Sequence, residues 1–145
     1  MKEVSPQNIE GLLTAEPIIS QIVVVGDKQR FITALIVPNF EQLKSIFRSE
    51  KIEMNSSAQD LVQDPRVHQL FRKRIDERTK DLAPYEKIKY FTLFAKEFSQ
   101  NAGELTTTLK MKRNVIADHF KDAIQRMYQE TESANEGNDR LFFVL

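Results

Sequence analysis

The residues best suited to chemistry lie in one run, Gly103-Glu104-Leu105-Thr106-Thr107-Thr108-Leu109-Lys110-Met111-Lys112-Arg113. The run keeps neither a helical nor a strand period. A glycine opens it, three consecutive β-branched threonines stiffen it, and a basic cluster closes it. The apolar spacing that follows, from Met111 to about Tyr128, predicts a helix. The run is therefore a loop that delivers Lys110 at or just before a helix start. A lysine there is a compact positive charge on a flexible stem, pinned to a rigid element. It can be offered to a phosphate or a carboxylate outside the domain. Lys112 and Arg113 follow directly and are candidates to touch phosphate or a partner surface.

Other chemistries find little support. The 145 residues hold no cysteine, which excludes thiolate metal sites and a disulfide framework. The two histidines, His68 and His119, read as helix-face residues. Glu10, Glu16 and Asp27 form no paired-carboxylate pattern. Only four glycines occur, and none belongs to GxGxxG or GxxxxGK[ST], so no phosphate cradle is present in this stretch. Lys+Arg 21 balances Asp+Glu 21, so no global charge draws the chain to nucleic acid or an anionic membrane. Zero net charge favours self-association instead. No apolar run is long enough for a membrane span, and Met1-Lys2-Glu3 leads into polar sequence rather than a secretory signal. A cytoplasmic location is the expectation.

The elements that must position Lys110 are read in order. Ser5 caps a first helix with Pro6 at its first turn, and Glu16-Pro17 ends it. That helix starts so close to Met1 that the sequence is expected to begin inside a longer protein. Gln21–Val25 and Phe31–Val37 are β-branched runs joined by the polar turn Gly26–Arg30, an antiparallel hairpin whose apolar character predicts burial on both faces. Asn39, with Gln42, caps a helix carrying Phe40, Leu43, Ile46 and Phe47. Glu53–Gln59 reads as a loop or short turn. Asp64-Pro65 starts a longer helix through Val67, Leu70, Phe71, Ile75 and Leu82, ending at Ala83-Pro84; its mixed face, Arg72 to Arg78, reads as solvated surface. Ile88–Phe94 is a third strand. Residues 1–128 then form the domain, and 129–145 a tail expected to be partly flexible, although Leu141–Leu145 is apolar enough to dock as a strand or in a groove. The order helix, hairpin, two helices, strand, helix predicts an α+β fold with a small mixed sheet of about three strands flanked by helices.

This order and several motifs resemble the C-terminal domain of the adenylate-forming enzymes, most closely the long-chain fatty-acid–CoA ligases. The similarity runs from about Glu3 to Tyr128. Val4–Glu10 is similar to the segment after the family's hinge, Ile22–Asp27 to its first strand and turn, and Phe31–Asn39 to the second strand of the long-chain subgroup. Gly103–Arg113 resembles that subgroup's catalytic-lysine motif, with Thr107 where the subgroup often has proline. The resemblance implies that Lys110 reaches a forming acyl-adenylate, bridging carboxylate and phosphate oxygens. It implies a partner, the N-terminal adenylation domain of the same protein, with ATP/Mg, coenzyme A and a long-chain fatty acid as ligands of the whole enzyme. It places Lys2 and Glu3 beside the hinge and the CoA-facing loop, and adds Lys112 and Arg113 as candidate cofactor-binding residues. It also implies that the small domain rotates between two half-reactions, that the whole enzyme sits in the cytoplasm or peripherally at a membrane, and that this chain alone is inactive. The competing expectation is a non-enzymatic α+β module that binds protein or RNA through the basic loop.

Overall fold

The computed structural model describes residues 6–26, 31–51, 57–108, 110–133 and 143–144. Helix α1 (Pro6–Leu13) leads into strands β1 (Ile19–Val25) and β2 (Ile32–Pro38). Helices α2 (Phe40–Ser49), α3 (Ala58–Gln63) and α4 (Pro65–Arg78) follow, then a 3₁₀ turn (Pro84–Glu86) and β3 (Ile88–Leu93). After the loop come α5 (Arg113–His119), α6 (Lys121–Ser133) and β4 (Phe143–Val144).

The sheet order is β1-β2-β3-β4. β1 and β2 run antiparallel with Val23 opposite Leu35. β3 lies parallel to β2, and β4 parallel to β3. A parallel neighbour demands a crossover, and α2, α3 and α4 supply it. The three predicted strands are present. Phe143–Val144 of the apolar C-terminus contribute the fourth, docked as a strand against β3.

Strand side chains alternate between faces, and two apolar layers result. Ile22, Val24, Ala34, Ile36, Phe91 and Leu93 pack with Ile9, Leu13, Leu43, Phe71 and Ile75 of α1, α2 and α4. Val23, Leu35 and Val37 pack on the other face with Ile116, Ile124, Met127 and Tyr128 of α5 and α6. Every residue of β2 is buried, as its unbroken apolar run requires.

Asn39 Oδ1 accepts from the Gln42 N–H at 3.2 Å and Asp64 Oδ1 from the Arg66 N–H at 2.8 Å, but Gln42 does not complete a capping box, since the Asn39 N–H donates to the Ile18 carbonyl at 2.7 Å. Four other expectations need correction. Ala58–Gln63, partly read as loop, is a helix capped by Ser57, whose hydroxyl accepts from the Asp60 N–H. Helix α4 stops at Arg78 rather than Ala83: its C-cap Thr79 leaves helical geometry at φ −114°, ψ 17°, with its hydroxyl bonded to the Ile75 carbonyl. The last helix is two, since Phe120 takes φ −114°, ψ 27° while its ring packs on Phe94 and Phe98. Its second half runs on to Ser133, beyond Tyr128. Finally, the α4 arginines are not merely solvated. Arg72 donates to the Ile88 and Lys89 carbonyls at 2.9 and 2.8 Å, and Arg74 and Arg78 pair with Glu16 at 3.0 and 3.3 Å. The long stem and planar fork of arginine let an exposed helix face reach neighbouring backbone and a buried acid. Ser5, the turn residues 27–30, residues 53–56 and residues 134–142 lie outside the described residues.

Candidate functional site

The loop between β3 and α5 is a short two-stranded ladder. Glu104 accepts from the Lys112 N–H through its carbonyl at 2.8 Å, Leu105 pairs with Met111 in antiparallel register, and the Thr106 N–H donates to the Lys110 carbonyl at 2.8 Å. The Lys110 N–H in turn donates to Thr106 Oγ1 at 3.0 Å, and that hydroxyl lies 3.1 Å from Thr108 Oγ1. Of the three threonines, Thr106 and Thr108 therefore close the tip with hydroxyl bonds, which explains why a polar β-branched run can turn so tightly. Gly103 enters the ladder at φ 77°, a conformation that costs a side chain about 1–2 kcal/mol.

Lys110 has both backbone polar groups engaged while its side chain is exposed. Among the described residues, that side chain makes no hydrogen bond, ion pair or ring contact. A fixed backbone carrying an unengaged ammonium is what presentation to an outside anion requires. Lys112 is also exposed, at the residue before α5.

Arg113 turns the other way. Its guanidinium makes a two-pronged pair with Glu10, Nη2 at 2.8 Å from Oε1 and Nη1 on Oε2, and Nη1 also donates to the Val24 carbonyl at 2.9 Å. Glu10 Oε2 accepts from the Val24 N–H at 2.7 Å. The pair satisfies an outer-edge donor and acceptor of β1, anchors the start of α5, and leaves Lys110 and Lys112 as the exposed cations of the run. Lys2 and Glu3 lie outside the described residues.

Sequence reasoning passed over Glu104 and His119. Glu104 is 6% exposed; Oε1 accepts from the Ser99 N–H and Oε2 faces His119 Nδ1, both at 2.9 Å. The one available signal is an acid next to glycine in an otherwise apolar-and-threonine run. An open cleft of about 360 Å³ borders this carboxylate, between Phe94, Lys96, Ser99 and Phe120. Both Glu104 oxygens are already engaged within the fold, and the rim at Lys110 is the better candidate. Among the described residues, no cluster of three or more His, Cys, Asp or Glu fits a metal ion, and no helix is long and apolar enough to cross a membrane.

The comparisons bear on the whole chain. Residues 2–132 match the family model described as AMP-binding enzyme C-terminal domain. The long-chain-fatty-acid–CoA ligase FadD15 of Mycobacterium tuberculosis is 33% identical over 129 residues, covering 89% of this chain and 22% of that protein. Long-chain-fatty-acid–CoA ligase 1 of Homo sapiens is 30% identical over 128 residues, covering 86% of this chain and 18% of that protein. The chain thus spans about a fifth of the length of these relatives. Among solved structures, the A-PCP didomain of carboxylic acid reductase from Segniliparus rugosus, in complex with AMP, superposes with TM-score 0.73. It is 17% identical and covers 94% of this chain and 17% of that one, a likeness of fold. A match over nearly all described elements, joined to the lysine-bearing ladder, identifies the chain as a member of the family of C-terminal domains of AMP-binding enzymes.

Proposed function

We propose that this domain is the mobile lid of a long-chain fatty-acid–CoA ligase and that Lys110 is its catalytic lysine. In the first half-reaction a fatty-acid carboxylate oxygen attacks the α-phosphorus of ATP. Pyrophosphate leaves and an acyl-adenylate forms. Both reactants are anionic, so their approach is repulsive. An ammonium about 4 Å from an oxyanion offsets this by roughly 4 kcal/mol at an intermediate effective dielectric. Lys110 bridges carboxylate and phosphate oxygens in that step. The domain then rotates, withdraws the lysine, and lets the thiol of coenzyme A attack the acyl carbonyl with AMP as leaving group. A lysine on a flexible stem suits a contact that is made and then broken. Lys112 faces the same exterior and adds positive charge at the rim; Arg113 braces α5 from within. ATP, its magnesium, coenzyme A and the acyl chain are ligands of the whole enzyme.

The observation that carries this reading is Lys110 itself: backbone tied at both polar groups, side chain exposed and unengaged among the described residues. The test is Lys110→Ala in the intact enzyme, with the domain joined to its adenylation partner. Adenylate formation, followed by pyrophosphate–ATP exchange, is expected to fall by about 10²–10³. Thioester formation from supplied acyl-adenylate is expected to persist. Equal loss of both would assign Lys110 a structural role. The rival, a basic module for RNA, predicts instead tight binding by this chain alone that weakens steeply with salt.

A further inference from the structure

Three segments meet at Glu104: the turn that precedes the ladder, the ladder's returning strand, and the C-terminal end of α5. Glu104 bonds to all three. Its N–H donates to the Ser99 carbonyl at 2.9 Å and its carbonyl accepts from the Lys112 N–H at 2.8 Å. Its carboxylate takes the Ser99 N–H with one oxygen and His119 Nδ1 with the other. A carboxylate buried to this degree is costly unless its oxygens are well met, and here both are. From Glu104 the ladder leads through the Leu105–Met111 pair to the Thr106–Lys110 rung. Two rungs of the ladder therefore connect Glu104 to the lysine backbone.

The other acid near the loop acts differently. Glu10 and Arg113 join α1, β1 and α5 across more than a hundred residues of sequence, so their loss would disturb the domain at large. The Glu104 contacts are local to the loop and the end of α5. We infer that Glu104, with His119 behind it, is a positioning residue for Lys110: it sets where the ammonium arrives rather than touching substrate. The inference rests on the function proposed above, in which a displacement of about 1 Å of a reacting group costs on the order of 10²-fold in rate.

The test is a double-mutant cycle in the intact enzyme. Glu104→Ala, Glu104→Gln and His119→Ala are each made alone and with Lys110→Ala, and both half-reactions are followed. Glu104→Ala is expected to lower the adenylation rate constant by about 10- to 100-fold, with little change in KM for ATP and with thioester formation from supplied adenylate retained. Glu104→Gln, which still accepts from Ser99, recovers most of that loss. In the Lys110→Ala background none of the three lowers adenylation further, because there is no ammonium left to place. Losses that multiply with Lys110→Ala, or that strike both half-reactions equally, overturn the inference. If Glu104→Ala does not fold, His119→Ala carries the same cycle from the half-exposed side of the contact, and its silence overturns the inference as well. Loss of adenylation in Lys110→Ala with Glu104→Ala silent removes the positioning role alone. Lys110→Ala without effect on adenylation removes the function above and this inference with it.

Discussion

His68 is 2% exposed on α4, with Nε2 2.7 Å from the Val62 carbonyl and its ring stacked on Phe91 at 5.6 Å. The neutral ring keeps one N–H to donate to that carbonyl. Burial pushes its pKa below the ordinary value of 6.5, against smaller opposing effects of the Val62 hydrogen bond and Asp64. The unfolded chain then binds the proton first. Stability attributable to His68 is fully present above about pH 6.5 and declines as pH falls from there toward the lower folded value. Urea midpoints measured from pH 8 downward are expected to drop below about pH 6.5 in the parent, and to drop less there in His68→Gln, which keeps a donor for Val62. Asp64 acts in a separate range. The Arg66 hydrogen bond holds its carboxyl below the usual 3.8, so its contribution is lost only under stronger acid. From sequence, His68 was legible as a helix-face residue; that the face is fully covered by Phe91 was not, because Phe91 lies 23 positions away on β3.

At the scale of elements, the lysine ladder depends on one backbone conformation. Gly103 has φ 77°, and a Cβ there would meet nothing within 4 Å. Gly103→Ala therefore incurs backbone strain without a clash and is expected to lower stability by about 1–2 kcal/mol, read as a denaturant midpoint shift at unchanged m-value. Helix starts were legible in this chain because a cap is written locally: Asn39 and Asp64 each bond an N–H two or three residues on. Helix ends were less so. Thr79 leaves helical geometry at the end of α4, and Phe120 divides α5 from α6 while packed on Phe94 and Phe98. In α6 the apolar stripe continues to Met127 and Tyr128, as the spacing predicts. The backbone stays helical to Ser133, where composition alone suggested a tail.

For the molecule as a whole, Glu16 joins the segment between α1 and β1 to the far side of α4. Its side chain is 2% exposed, and it meets Arg74 at 3.0 Å and Arg78 at 3.3 Å, while those two remain partly in water. The two ways of breaking the cluster should therefore differ. Glu16→Ala leaves solvated guanidiniums and is expected to cost about 1–3 kcal/mol. Arg74→Ala with Arg78→Ala strands a buried carboxylate and is expected to cost more, about 3–5 kcal/mol. Thermal or chemical unfolding of the three variants checks the order; equal costs would mean that water reaches Glu16 once the arginines are gone.

Periodicity and local caps determined which segments became strands and helices, and the unbroken β-branched run of β2 determined that a layer would lie on each side of it. The Gly103–Arg113 pattern was enough to single out Lys110. Local patterns carry such information because hydrogen-bond caps and side-chain alternation act within a few residues. The tertiary structure alone decided that Arg113 faces inward to Glu10, that Arg74 and Arg78 converge on Glu16, and that Glu104 joins Ser99, Lys112 and His119. Most of these partners are tens of residues apart, and even the nearest, Ser99, His119 and Lys112 around Glu104, meet only when the chain turns back on itself. A long charged side chain reads the same in sequence whether it ends in water or on a buried partner; packing settles which.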